Sequence, residues 1–327
     1  MQAVTRCFFD DIFYEARRLG ASDIHCSAQR APAMRIDGRL REIASRPVEA
    51  NALGELYEET RKNQPDSFAT NRDVTIVLAE PDWGRVRLHW TKSEMGLTCA
   101  IRLFPDVCPD ARALGLSERL CELVASSRGL LLIVGSTGSG KSTTLAALLR
   151  IVAKSRYRKI VTLEDPVEFD YSGLPGNVEQ RTIGRDVRSL HDGVLSALRS
   201  DPDVIAIGEA RSSEDCNALL RAAETGHLVL ATMHAADAAS SIDRMLRAFP
   251  AGEAAIARNV LADVLLGVSA QELVARPAGG RALESELLLA TDAVRAIVRD
   301  GRCFQLRNAM TLGGSAGMNR FARPTFA

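Results

Sequence analysis

The run Leu130-Leu131-Leu132-Ile133-Val134-Gly135-Ser136-Thr137-Gly138-Ser139-Gly140-Lys141-Ser142-Thr143-Thr144 decides how the rest of the chain is read. Its five consecutive apolar residues are the mark of a strand buried on both faces. Gly135 to Ser142 then fit the spacing GxxxxGK[ST], and the helix-prone stretch Thr143–Ile151 follows. Strand, glycine-rich loop and helix in that order are what phosphate binding requires. Glycines let the backbone wrap so that successive N–H groups point inward, and the helix presents its positive N-terminal end to the same anion. Gly135, Ser136, Thr137, Gly138, Ser139, Gly140, Lys141, Ser142 and Thr143 are therefore the predicted nucleotide contacts. Lys141 is expected to reach the β and γ phosphates, and the Ser142 hydroxyl to bind Mg2+.

Downstream, Ile160–Leu163, Val204–Ile207 and Leu228–Leu230 repeat the apolar-run pattern, with helical stretches between them at Leu190–Ser200 and Ser213–Glu224. This alternation predicts an α/β fold in which a parallel sheet is wrapped by helices. From Glu253 the chain reads as mostly helical, up to the Gly-rich Thr311-Leu312-Gly313-Gly314. Upstream the pattern changes. Phe9, Ile12, Phe13, Ala16 and Leu19 recur at helical spacing and Gly20 stops that helix. Short β-like pieces follow at Ala33–Ile36, before an Asp37-Gly38 turn, and at Val74–Leu78, Arg85–Trp90 and Thr98–Leu103, with a helical Ala50–Lys62 among them. Residues 1–105 thus read as a small α+β domain. Pro105-Asp106-Val107-Cys108-Pro109-Asp110, stiffened by two prolines, reads as a hinge. The expected division is a domain at 1–105, a linker at 106–114 and an α/β domain at 115–327, with a helical C-terminal segment at 253–327.

Three further groups carry chemistry. Glu164 and Asp165 directly follow the second apolar run, at the carboxyl end of a parallel strand, where open α/β sheets bind ligands; there a carboxylate can polarise water. Gly208-Glu209 ends the third run, and Glu209 either holds the metal through water or orients the nucleophile. His227 and His234 bracket the fourth run. His234, at the carboxyl end, is placed to sense a γ-phosphate; His227, at the other, is placed to brace the local structure or a subunit contact.

Composition narrows the function. Of 327 residues, 46% are hydrophobic and 25% charged, which excludes a disordered or collagen-like chain. Lys+Arg and Asp+Glu are both 41, so the formal net charge is zero. That balance, with 5% aromatics, weighs against a nucleic-acid motor, which needs phosphate-tracking cations and stacking surfaces. The acidic start, MQAVTRCFFDD, does not read as a signal peptide. No run nears the ~18 apolar residues of a membrane span. The seven cysteines are scattered without a CxxC pair, so no zinc site is expected and free thiols in a reducing compartment are.

Taken together, Gly135–Ser142 (Walker A), Leu163–Phe169 (aspartate box), Asp201–Arg211 (Walker B) and Thr225–His234 (histidine box) resemble the hexameric ATPases of type II secretion and type IV pili, in particular the PilT-type retraction branch. Gly20–His25, Arg35–Gly38, Ile242–Arg244 and Phe249-Pro250 extend the likeness over nearly the whole chain. The resemblance implies a PAS-like first domain, a RecA-like second domain, a homohexamer and ATP held between the domains. It places the general base on Glu164, the Walker B glutamate on Glu209, the histidine box on His227 and His234, and arginine fingers on Arg87 and Arg102, with Met95 where another arginine is usual. It implies ATP with Mg2+, work at the cytoplasmic face of the inner membrane, and membrane association only through a pilus platform protein. Absence of a four-cysteine motif and of a longer N-terminal extension, together with Ala293–Arg299, which is similar to the branch's AIRNLIR segment, points to retraction. The alternatives are an extension or related secretion and conjugation ATPase, a protein that holds ATP without turnover, and a RecA-like nucleic-acid motor.

Overall fold

The computed structural model describes residues 1–43, 46–62, 73–94, 96–126, 128–156, 158–277 and 279–321. The described chain forms two compact units, one built on Met1–Asp106 and the other on Val107–Arg276 with the stretch from Arg281.

In the first unit, helix α1 (Ala3–Arg18) is followed by β1 (Asp23–Ser27), β2 (Ala33–Ile36), β3 (Arg39–Glu42), α2 (Ala50–Arg61), β4 (Val74–Glu80), β5 (Gly84–Ser93) and β6 (Gly96–Leu103). Gly20, at φ +64°, turns the chain out of α1. Asp37 and Gly38, both at positive φ, make the two-residue turn between β2 and β3. The sheet runs β3-β2-β1-β6-β5-β4 with every pairing antiparallel. Along β5, Val86, Leu88 and Trp90 go into the core, while Arg87, His89 and Thr91 alternate onto the other, half-buried face. The apolar stripe of α1 covers the core side: Phe13 stacks on Trp83 at 4.4 Å between ring centroids, and the Trp83 indole donates to Asp10 at 2.6 Å.

The second unit holds α3 (Glu118–Ser126), β7 (Gly129–Val134), α4 (Lys141–Ser155), β8 (Lys159–Glu164), β9 (Asn177–Thr182), α5 (Leu190–Leu198), β10 (Val204–Ile207), α6 (Ser213–Glu224), β11 (Leu228–Met233), α7 (Ala238–Arg247), α8 (Ala254–Val264), β12 (Leu265–Ala275), β13 (Arg281–Leu289), α9 (Asp292–Arg299) and α10 (Leu306–Leu312). Its sheet order is β13-β12-β7-β11-β10-β8-β9. All neighbours are parallel except β12 and β13, which form an antiparallel hairpin. Every residue of β7, β10 and β11 is buried, as their almost wholly apolar sequences require; Thr232 is the polar residue in them, and its hydroxyl donates to the Gly208 carbonyl. The register sets Val134 against Met233, Ala231 against Ile207 and Ile207 against Leu163, so the strands' carboxyl ends share one edge of the sheet.

Three features depart from the sequence reading. The C-terminal part, expected to be helical from Glu253, contains the β12–β13 hairpin, because Leu265–Ala275 lies against β7 and extends the buried sheet instead of coating it. Strands β1, β3 and β9 were not visible as apolar runs. Within 106–114, read as a linker, Ala111 is buried in the core of the second unit, and the Cys108 carbonyl accepts from Arg150 at 2.7 Å. Among the described residues no helix is long and apolar enough to cross a membrane.

Candidate nucleotide site

The glycine-rich turn leaves β7 at Gly135 and enters α4 at Lys141. Gly135 (φ +156°), Gly138 (+77°) and Gly140 (+89°) provide the backbone angles of the wrap. At Gly135 the requirement is also one of space: a Cβ there would lie 2.4 Å from the Gln271 carbonyl oxygen of β12. Ser142 and Thr143 occupy the first turn of α4, both half-buried. Burial lowers the pKa of Lys141, against the pull of Glu209 and Glu168. Its ammonium donates to the carbonyls of Gly135 at 2.9 Å and Ser136 at 2.8 Å.

Lys141 Nζ also lies 3.4 Å from His234 Nδ1, and His234 Nε2 lies 2.5 Å from Glu209 Oε1. An ammonium can only donate, so in a hydrogen bond between Lys141 and His234 the Nδ1 is the acceptor. Arg211 closes the array: it donates to Glu209 Oε2 at 2.8 Å and stands 3.6 Å from Asp165. The loops after β7, β8, β10 and β11 are thus joined through charged side chains at the carboxyl edge of the sheet, where open α/β folds take ligands.

Glu164 ends β8 and is buried. Burial raises its pKa, opposed by hydrogen bonds. Its Oε1 accepts from the Thr162 hydroxyl at 2.6 Å and from the Gln180 amide of β9 at 3.2 Å, whereas Oε2 receives only a long 3.4 Å contact from the Glu168 N–H among the described residues. One oxygen carries two hydrogen bonds and the other a single long one. Gln180 also donates to the Phe169 carbonyl at 2.8 Å and accepts from the Tyr171 N–H at 3.0 Å, tying down the segment that follows the cis Asp165-Pro166 bond. Gly208 lies beside Glu164; a Cβ on it would be 3.2 Å from the Glu164 Cα. This crowding is a physical reason for Gly208-Glu209 where an acidic residue directly ends the strand in many phosphate-loop proteins.

The structure therefore joins Lys141, His234 and Glu209 by contact at the end of the phosphate loop, and places Glu164 at the end of β8, the strand beside β10 on the same edge of the sheet. It does not bring His227 to them: that residue precedes β11 at the opposite edge, where its Nδ1 lies 3.0 Å from Thr225 Oγ1 and 3.1 Å from the Ala222 carbonyl, bracing the end of α6. Arg87 and Arg102 face each other across β5 and β6 in the first unit, and Arg102 pairs with Asp23 at 3.0 Å. Met95 lies outside the described residues. The Ala293–Arg299 segment forms most of α9; Arg295 donates to the Asp263 carbonyl at 2.8 Å and to that of Ala262, and Arg299 pairs with Asp263, so these guanidiniums cap the end of α8. Sequence reasoning missed Thr162, Gln180, Arg211 and Gln271. For Thr162 a signal existed: residues two apart on a strand share a face.

The chain belongs to the family described as Type II/IV secretion system protein, which matches residues 1–301. It is 37% identical over 300 residues to the type IV pilus retraction ATPase PilT of Pseudomonas aeruginosa, covering 91% of this chain and 87% of that one. It is 40% identical over 304 residues to the uncharacterized protein YggR of Escherichia coli, covering 92% and 91%. Among solved structures, the pilus retraction motor PilT with bound ADP superposes with a TM-score of 0.83 at 35% identity, covering 93% of this chain and 89% of that one.

Proposed function

We propose that this protein is an ATPase motor of a type IV pilus, a homohexamer that couples ATP hydrolysis to pilus retraction. The observation that carries this reading is the convergence of Lys141, Glu164, Glu209 and His234 on one phosphate-loop edge. The residues suit a nucleotide: three positive-φ glycines open the loop, a helix N-terminus follows it, and one cation stands inside it. The Lys141 ammonium exchanges its loop carbonyls for the β and γ phosphates. Glu164 Oε2 takes the proton of the attacking water while Oε1 stays anchored. Glu209 orients the water or holds Mg2+ through water, and His234 links the Glu209 carboxylate to the lysine and so to the γ-phosphate. The Ser142 hydroxyl would help hold Mg2+, which when bound would supply positive charge to offset the charge that develops on the phosphates. Arg87 and Arg102 add positive charge to the phosphates in the assembled ring.

The support for retraction rather than another task is the 37% identity to the Pseudomonas protein across nearly all of both chains. The further parts of this proposal are binding to a membrane platform protein, location at the cytoplasmic face of the inner membrane, and no nucleic-acid substrate. Two measurements test it. Phosphate release by the purified protein falls to background in Lys141→Ala and Glu209→Gln; undiminished turnover in either removes the assignment. Deletion of the gene leaves surface pili present and abolishes twitching; loss of the pili themselves assigns extension instead.

A further inference from the structure

We infer that Gln271, on strand β12, is a positioning residue that sets the phosphate loop in its anion-binding conformation by holding the Ser139 carbonyl away from the ligand. The inference deepens the nucleotide-site reading and rests on it. Strand β12 pairs in parallel with β7 up to Ala270 against Val134, so Gln271 comes level with Gly135, where the loop leaves the sheet. Its backbone carbonyl fills the space a Gly135 side chain would need. Its side chain is 2% exposed, and Nε2 donates to the Ser139 carbonyl at 2.7 Å, a buried bond joining residues 132 positions apart in sequence.

Peptide geometry makes that bond consequential. In a trans peptide the C=O and the following N–H point in opposite directions. Fixing the Ser139 oxygen on Gln271 therefore aims the Gly140 N–H the other way, into the concavity that phosphate oxygens enter. Gly140, at φ +89°, is the N-cap of α4 and has no side chain with which to fix that orientation itself. Nearby, Ser139 Oγ and Gln271 Oε1 are buried without a hydrogen-bond partner among the described residues, so neither supplies a second tether to the peptide. Without the Gln271 amide the peptide is free to flip, which would present an oxygen instead of a donor to the anion.

The experiment compares wild type with Gln271→Met, which keeps length and volume but cannot donate, and Gln271→Glu, whose carboxylate repels the carbonyl. ADP affinity is measured by calorimetry and ATP turnover by phosphate release, with the melting temperature of the nucleotide-free proteins recorded alongside. A net hydrogen bond plus an unpaired buried carbonyl corresponds to about tenfold weaker ADP binding in each variant. KM for ATP rises by a similar factor, while kcat at saturation stays near that of wild type. ADP affinity within twofold of wild type in either folded variant overturns the inference, as does a fall in kcat with KM unchanged. Wild-type protein that binds no ADP overturns the nucleotide-site reading instead, so the two failures are distinct.

Discussion

Replacing Gln180 with Leu should move the acid limb of the turnover profile without removing the machinery of turnover. In the role proposed for it, Glu164 must be ionised to take a proton from water, and its burial opposes ionisation. Three donors hold the charge: the Thr162 hydroxyl at 2.6 Å, the Gln180 amide at 3.2 Å and the Glu168 N–H at 3.4 Å. A hydrogen bond to a charged group contributes ~1.5–3 kcal/mol. The Gln180 bond is long, so the lower end applies, and ~1.4 kcal/mol is a factor of ten in ionisation. The bond favours the carboxylate, so its loss disfavours it. Gln180→Leu should shift the acid limb of kcat upward by about one pH unit, with a loss of about tenfold on that limb and recovery at alkaline pH. Thr162→Val should shift the limb further in the same direction, because it removes the shorter bond. The assay is phosphate release at saturating ATP across pH, with circular dichroism confirming the fold. An acid limb that stays in place in a folded Gln180→Leu protein would refute the anchoring of Glu164 through Oε1.

Gly208→Val should be costly on two counts: the new side chain meets Glu164 Cα and the Leu163 carbonyl at contacts already 3.2 and 3.3 Å from Cβ, so chemical denaturation should show ~1–3 kcal/mol lost and turnover should fall with it. Arg307→Met removes the half-exposed partner of Asp237, a 2.6 Å pair that with the Ser240 bonds holds that carboxyl below its ordinary range despite burial. With half exposure discounting the pair to ~0.5–1 kcal/mol, melting should drop by about 1–4 °C at neutral pH. A depressed acid contributes its stability above its unfolded pKa and loses it as pH falls, so the deficit should shrink in acid; a deficit independent of pH would point to lost packing instead.

The parts of the fold that were legible are those where one short run of sequence decides a state. Leu130–Val134 and Val204–Ile207 are apolar throughout because both faces of their strands are covered, and the glycine-rich turn announces itself by its own spacing. Strand β9, Asn177–Thr182, carries Asn, Glu, Gln, Arg and Thr because it is an edge, and an edge strand has no apolar run to show. Strand β12 misled for another reason: Leu265–Ala275 mixes Ala, Leu and Glu, good helix formers, and only pairing with β7 on one side and β13 on the other makes it a strand. The site divides in the same way. Lys141, Glu164, Glu209 and His234 stand at the ends of legible strands and could be named from position. Gln180 and Gln271 lie on β9 and β12, two of the strands that could not be read, and amides carry no charge or spacing signature.

That division has a physical source. Charged residues at the end of a buried strand are costly unless they have work to do or a partner, so they stand out against an apolar background. The residues that hold them owe their roles to long-range pairing: the Gln271 bond to Ser139 spans 132 positions, and Glu286 on β13 accepts from the Ala238 N–H at 2.6 Å across 48. Ala238 opens α7 four residues after His234, with Asp237 as its N-cap, so the hairpin that supplies Gln271 to the phosphate loop also supplies Glu286 to the loop that leaves β11. Both ends of the Lys141–His234 contact are thus braced from the β12–β13 hairpin.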